Sequence, residues 1–277
     1  MTAKQENPAM LPLTHRLTLT YASSMLLAAL LAAASIAGLV FQSGIYPTDA
    51  LLESFLPNDV ANLLIGLPVL LGSMWLARKG SLSGLLLWIG AILFVLYGYL
   101  VYLFAMPLNF QFVVYPALVL LSACSLAGLI TTIDGQLVRH RLVGVVPERL
   151  AGGVLGGLGL LFFVQAAFAL VSKTPILRTE LSLHITDCLI SPAWVIGGVM
   201  LWRQKEFGYI VGLGLLFQAS MLFVGLIIVL LLQPLLINAP FAPVDVLVVF
   251  VMGLICFIPL GLFLRGVVRS RNSSSTA

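Results

Sequence analysis

The chain has little charge and few cysteines, and the sequence motifs of many enzyme families are missing from it. Asp, Glu, Lys and Arg make up 9% of the 277 residues, against about 25% in an ordinary soluble domain. The three cysteines, at positions 124, 188 and 256, form no CxxC pair, so neither a disulfide framework nor a zinc site is expected. HExxH, Walker and Rossmann motifs are also missing, which leaves metalloprotease and nucleotide-driven mechanisms without support.

Basic side chains are missing from the middle of every long apolar run. A retinal protein needs a lysine there for its Schiff base, and a voltage sensor needs arginines, so neither class fits. The histidines are His15, His140 and His184, and they offer no facing pair for a bis-histidine haem. We therefore predict no metal and no cofactor.

Long apolar runs dominate the sequence. Hydrophobic residues make up 61% of it, with a mean hydropathy of +1.12, and a soluble fold of this size could not bury so much apolar surface. Continuous runs of about 20 residues are typical of helices that cross a bilayer. We predict an all-α, polytopic transmembrane bundle with eight spans, at Leu17–Phe41, Val60–Ala77, Leu82–Phe104, Phe112–Ile133, Leu150–Val171, Leu183–Trp202, Gly208–Leu232 and Val244–Leu264. The first run could also be a cleaved signal peptide, but its length favours a retained helix.

The basic residues sort into alternate gaps between the spans. Twelve of the fourteen Lys and Arg fall on one side, and only Lys173 and Arg178 fall on the other. Positive loops stay in the cytoplasm, so both termini are predicted to be cytoplasmic, in the plasma membrane. These loops also account for the formal net charge of +4. The expected partner is the lipid bilayer, with no nucleic acid.

The two halves of the chain share a weak pattern. Pro68 and Gly84 are sixteen residues apart, as are Pro192 and Gly208. Four spans per half would make the halves parallel, although leucine-rich helices also resemble one another by chance. The predicted organisation is a cytoplasmic tail (1–16), a first four-helix half (17–134), a cytoplasmic linker (135–149), a second half (150–265) and a disordered cytoplasmic tail (266–277).

Polar and aromatic residues near the span ends suggest interfacial structure. The segment from Thr48 to Leu56 predicts a capped helix lying in the membrane interface. Tyr97, Tyr99 and Tyr102 predict an aromatic belt at the outer interface. Three of the four tryptophans, at 75, 88 and 202, predict a similar belt at the inner interface.

Stripes of small residues predict close helix packing. We expect the first and fifth spans to meet at the centre of the bundle through these stripes, although the glycines could also border a substrate path. The residues are Ala28, Ala29, Ala32 and Ala33 in span one, and Gly152, Gly153, Gly156 and Gly157 in span five.

Candidate ligand-binding residues are few. Asp59 opens span two with Asn62 one turn inside, and His184 and Asp187 lie on one face at the start of span six. With the deep Gln218 they could line a vestibule that takes a cation, a cationic substrate or a proton. The simpler alternative is that acidic residues, Asp245 included, cap helix N-termini, and that Gln218 and Gln165 bond between helices.

Two segments resemble sequences of uncharacterised prokaryotic multi-pass membrane proteins. One runs from Pro192 through Trp194 and Gly197–Gly198 to Gly208–Tyr209, and the other is Leu87–Gly90 with the three tyrosines that follow. The resemblance implies a prokaryotic plasma membrane and no particular activity.

Three functional hypotheses follow from the sequence. The first is small-molecule binding or transport through an outer-facing vestibule. The second is a non-catalytic accessory or scaffold subunit, bound to other membrane subunits or to copies of itself. The third is a membrane-embedded enzyme, which would need a convergent cluster of acids, bases or metal ligands.

Overall fold

The computed structural model describes residues 11–15, 17–172, 175–237 and 240–273. Within these residues the chain is helical and has no strand, and eight helices are long and apolar enough to cross a membrane. The predicted all-α, eight-span class is therefore confirmed. The helices are α1 (Thr18–Val40), α2 (Gln42–Ile45), α3 (Asp49–Ala61), a π-helical turn (Asn62–Gly66), α4 (Leu67–Arg78), α5 (Leu82–Ala105), α6 (Val114–Thr132), α7 (Gly135–Leu142), α8 (Glu148–Val171), α9 (Arg178–Trp202), α10 (Glu206–Leu236) and α11 (Pro243–Ser273).

Span two is longer than predicted. It begins at Asp49, where the Thr48 hydroxyl caps the Leu51 N–H at 3.4 Å, and runs without a break through α3, the π turn and α4 to Arg78. The predicted interfacial helix is therefore wrong, because its apolar face is buried in the bundle at Leu51 and Phe55. The cap was predicted correctly, but the segment it starts belongs to the span.

Successive spans alternate in direction, so the loops collect at two ends. The turns after α4 and α9 and the helix α7 lie at what we call the basic end. There the Thr14 N–H donates to the Thr132 carbonyl at 2.9 Å, and α7 packs against α10 and α11. The loops after α1, α5, α8 and α10 lie at the other end, which we call the cavity end.

The last helix extends beyond its predicted limit. α11 continues to Ser273, so the prediction of disorder from residue 266 is wrong for 266–273, and 274–277 lie outside the described residues. Its close contact with the basic end explains the extension, since a Cβ on Gly266 would lie 2.6 Å from the Val145 carbonyl oxygen. Of the predicted N-terminal tail (residues 1–16), the structure describes only residues 11–15.

Helix α5 is the centre of the bundle. Its apolar window is 72% buried, against 17% for α8, and it packs against α4, α6, α9 and α10. The backbones of α5 and α10 meet at Gly90 and Gly214, where a Cβ on Gly214 would lie 3.0 Å from the Gly90 nitrogen. The prediction that spans one and five meet at the centre is wrong, because α8 lies at the edge of the bundle and packs chiefly against α9.

The glycine stripe of α8 packs on one side only. A Cβ on Gly152 would lie 2.6 Å from the Gly198 carbonyl oxygen, and one on Gly153 would lie 2.8 Å from the Trp202 ring. Cβ atoms on Gly156 and Gly157 would meet nothing within 4 Å. The stripe thus supports close packing with α9 and leaves part of its surface open. In α1, Ala28 is buried, Ala32 is partly buried, and Ala29 and Ala33 are exposed.

The turns after α4 and α9 have the same backbone pattern. Lys79 N–H donates to the Trp75 carbonyl as Arg203 N–H does to Val199. The next residue of each turn has a positive φ, 79° at Gly80 and 54° at Gln204. Trp75 and Trp202 are exposed beside these turns. Trp88 is fully buried, so the predicted inner belt is wrong for this residue.

We expect Gly152→Ala to destabilise the protein by about 1–3 kcal/mol, because the added methyl group would collide with the backbone of α9. Gly157→Ala is the matched control, since its methyl group enters open space. Thermal unfolding of both variants in detergent checks this. Equal unfolding temperatures would contradict the close contact of α8 with α9.

Candidate functional site

A cavity of about 680 Å³ opens between the two halves of the chain at the cavity end. Its wall is contributed by α3, the π turn, α5, α9, α10 and α11, with Phe162 of α8. Most of the lining is apolar, and polar groups from several helices face into it. This combination of volume and lining is typical of a small-molecule site.

Helix α5 presents two different faces to its neighbours. Phe94, Gly98 and Val101 recur at helical spacing, and with Tyr97 they line the cavity. Tyr99 and Tyr102 lie on the opposite side and are each 1% exposed. The predicted aromatic belt is therefore wrong, because Tyr99 and Tyr102 are buried inside the bundle and Tyr97 faces the cavity.

Asp187 is the carboxylate that reaches deepest into the cavity wall. The Tyr97 hydroxyl donates to its Oδ1 at 2.8 Å, which fixes the carboxylate and leaves Oδ2 without a hydrogen bond from the described residues. Glu53 and Glu180 are exposed nearer the mouth. No Lys or Arg of the described part of the chain lines the cavity.

The π turn places Asn62 in the cavity wall. The Leu67 N–H reaches back five residues to the Asn62 carbonyl, so this turn is wider than an α-helical turn. Pro68 follows directly, and in an α-helix its ring would press on the carbonyl of Leu64. The Asn62 side chain is 5% exposed and its Nδ2 has no partner among the described residues. It is therefore a buried donor without a partner in the described part of the chain, on a residue that lines the cavity.

A second polar group, the Asp59 cluster, lies behind the cavity wall. It consists of Asp59 and the phenols of Tyr46, Tyr99, Tyr102 and Tyr115. Tyr102 donates to Asp59 Oδ1 at 2.8 Å, and Tyr46 donates to Oδ2. Asp59 is 1% exposed, so these two phenols replace water at both carboxylate oxygens.

Glycine makes room for this cluster. A Cβ on Gly38 of α1 would lie 2.6 Å from the Tyr46 hydroxyl and would overlap Asp59 Oδ2. Burial and the adjacent Asp59 carboxylate raise the pKa of Tyr46 well above its usual value, so Tyr46 remains a donor at any physiological pH. Gly38 thus brings α1 into close contact with the Asp59 cluster.

The cluster and the cavity are joined by one hydrogen bond. Asn58 lines the cavity, and its Nδ2 donates to the Tyr102 hydroxyl at 3.3 Å. Tyr102 in turn donates to Asp59. A ligand that moves Asn58 would therefore disturb the support of the buried carboxylate.

The predicted site residues are only partly brought together. Asn62 and Asp187 line the cavity, whereas Asp59, His184 and Gln218 are not among its lining residues. Asp59 lies inside α3, which begins ten residues earlier. The prediction that Asp59 stands at the start of span two is therefore wrong, and so is the alternative that it caps a helix N-terminus. Asp245 is exposed in the first turn of α11, where capping was predicted.

Gln218 forms a hydrogen bond between helices, which was the alternative to lining a vestibule. It is fully buried and accepts from Trp194 Nε1 at 3.0 Å, which joins α10 to α9. Gln165 is exposed on α8 and makes no such link among the described bonds. Trp194 itself lines the cavity.

Sequence patterns missed several cavity residues. Glu53, Asn58, Glu180, Ser191 and Gln233 line it, although none was a candidate, and Tyr97 lines it although an aromatic belt was the favoured prediction for that residue. The helical spacing of Phe94, Gly98 and Val101 was the one available signal, since it marks a face that differs from that of Tyr99. Among the described residues no three His, Cys, Asp or Glu side chains converge as metal ligands.

Comparison with protein-family models, with curated proteins and with solved structures found no match. The functional proposal therefore rests on the geometry of the cavity.

We expect Gly38→Ala to lower the unfolding free energy by about 1–3 kcal/mol, because its methyl group displaces the Tyr46–Asp59 hydrogen bond. Gly72→Ala is the control, since Gly72 is also helical and a Cβ there meets nothing within 4 Å. Thermal unfolding in detergent measures both changes. An unaltered Gly38→Ala protein would show that the Asp59 cluster tolerates rearrangement.

Proposed function

We propose that this integral membrane protein binds a small molecule in the cavity as the first step of its transport. The supporting observation is the cavity itself, which combines apolar walls with carboxylate, amide and phenol groups from several helices. A bundle that served only as a scaffold would have no need of such a space.

The depth of the cavity favours transport over binding at the surface. Asn62 lies 13 residues into a 30-residue helix, which places it about 20 Å along that helix and near its middle. The wall at this depth is an interrupted helix, with a π turn followed by Pro68. Transporters commonly place their substrate sites at such interruptions.

We also propose that the chain contains two parallel, duplicated halves. An offset of 124 residues relates Pro68 to Pro192, Gly84 to Gly208 and Gly90 to Gly214. The matching turns after α4 and α9 have this offset too, and Gly90 and Gly214 contact each other across the two halves. Equivalent residues meet in this way on a twofold axis. The duplication would place the cavity on that axis.

An accessory role is the second candidate, and the open part of the α8 stripe favours it. A shallow groove beside α8 is lined by its four glycines, by Val199, Trp202 and Arg203. Small residues of this kind allow a second helix to approach closely. An accessory subunit would not depend on the volume of the cavity, so the next experiment separates the two candidates.

We expect Gly98→Phe to abolish binding of the neutral fluorescent probe N-phenyl-naphthylamine in lipid nanodiscs. Gly98 lines the cavity, and a Cβ there meets nothing within 4 Å, so the ring fills the cavity without displacing the backbone. Binding is measured as fluorescence above that of empty nanodiscs.

Gly72→Phe is the matched control, because Gly72 has equally open space and does not line the cavity. It should bind the probe as the unmodified protein does. The proposed function would be contradicted if Gly98→Phe still bound the probe, or if the unmodified protein did not bind it.

We propose a plasma membrane orientation with the basic end in the cytoplasm, from the distribution of Lys and Arg. Alkaline phosphatase fused after Val143 should then be inactive, because this loop stays reduced and cytoplasmic. The same enzyme fused after Ile176 should be active. The reverse pattern of activities would overturn the orientation.

A further inference from the structure

We infer that the cavity takes an organic ammonium ion with an aromatic or aliphatic body and a hydroxyl, ether or carbonyl acceptor. This inference rests on the proposed function, since it names the class of molecule that the same cavity binds. Three features of the lining support it, namely its charge, its aromatic rings and one unused amide donor.

The charge of the lining has one sign. Asp187, Glu53 and Glu180 are its ionisable side chains apart from the phenol of Tyr97, and none of the lining residues is Lys, Arg or His. Tyr97 holds Asp187 Oδ1, so Oδ2 remains able to accept a hydrogen bond from an ammonium group. A cleft lined by carboxylates between low-dielectric walls attracts cations and repels anions.

The outer carboxylates and the inner one would act in sequence. Glu53 and Glu180 are exposed, whereas Asp187 is partly buried. Exposed charges raise the local concentration of a cation but contribute little binding energy. Asp187, fixed by Tyr97 and partly shielded from water, is the group that would hold the ammonium in place.

Aromatic rings line the same cavity as the carboxylates. An ammonium ion over the face of such a ring gains a further attraction when it is desolvated, and the rings also pack against an apolar body. The aromatic residues of the lining are Phe55, Phe94, Tyr97, Phe162, Trp194 and Phe223.

Asn62 supplies the third feature. Its side chain is 95% buried, its Nδ2 is unpartnered among the described residues, and it lines the same cavity as Asp187. A buried donor without a partner is unfavourable, because it has lost its hydrogen bonds to water. A ligand oxygen that accepts from Nδ2, once the side chain rotates to bring this buried atom to the cavity, would remove this cost. A purely hydrocarbon amine offers no such acceptor and fits less well.

Four probes with one naphthyl body test the inference by calorimetry in lipid nanodiscs. They are naphthyloxy-aminopropanol (an ammonium with a hydroxyl), naphthyloxy-propylamine (an ammonium without it), naphthyloxy-propanediol (neutral) and naphthyloxy-lactic acid (an anion). We expect the aminopropanol to bind at least about tenfold more tightly than the neutral and anionic probes, as a charge-assisted hydrogen bond would give.

Asp187→Asn separates charge from shape. The asparagine oxygen can still accept from Tyr97, so the wall keeps its structure, and the preference for the ammonium over the diol should disappear while diol binding stays. Asp245→Asn is the matched control, because Asp245 lies at the same end, is exposed and does not line the cavity. It should leave the preference unchanged.

Asn62→Leu tests the acceptor. It should remove the advantage of the aminopropanol over the propylamine and leave the preference for ammonium over anion intact. A persistent advantage in this variant would overturn the assignment of the acceptor to Asn62.

The outcomes distinguish a wrong ligand class from a failure of the proposed binding function. If the diol or the anion binds as tightly as the ammonium, and Gly98→Phe removes that binding, the cavity binds ligands but not this class. If none of the four probes binds, both the ligand class and the binding function are overturned. An equal loss of preference in Asp245→Asn would show a general effect of charge and would also overturn the role of Asp187.

Discussion

The close approach of α5 and α10 at Gly90 and Gly214 determines where the polar groups of the bundle can lie. Lipid gives helices no hydrophobic reason to associate, so packing between small residues has to hold them together. Because the two backbones meet at these glycines, α5 is enclosed on nearly all sides. One face of it then meets the Asp59 cluster, and the other borders the cavity. A larger residue at either glycine would separate the helices and open both polar regions to lipid.

A carboxylate as deeply buried as Asp59 is costly unless donors replace its water. Two phenols do so, and Gly38 leaves the space they need. Tyr102 also accepts from Asn58 in the cavity wall, so the cluster braces the wall from behind. This arrangement explains why a side chain that does not touch the cavity still matters to its shape, and why α1 is needed although it contributes none of the described lining.

The sequence predicted the number of spans and most of their limits, because hydropathy over some twenty residues reports directly on the lipid environment. It did not predict which face of a helix is buried. Tyr97, Tyr99 and Tyr102 look alike in a hydropathy pattern, and their separate roles depend on which helix packs beside each face. Asp59 was misplaced for a related reason. The polar start of α3 resembles an interfacial segment, and only the packing of Phe55 and Leu51 against other helices reveals it as part of a span.

The two halves use their acidic residues differently, and this difference creates the site. In α3 the carboxylate of Asp59 faces the phenols, and the π turn before Pro68 brings the amide of Asn62 to the cavity. In α9 the helix continues as an α-helix through Pro192, and Asp187 itself faces the cavity. A strictly symmetric bundle would place like groups on opposite walls. Here Asn62 of one half and Asp187 of the other line the same cavity, so the proposed ligand, with its cation at Asp187 and its acceptor at Asn62, would have a single preferred orientation.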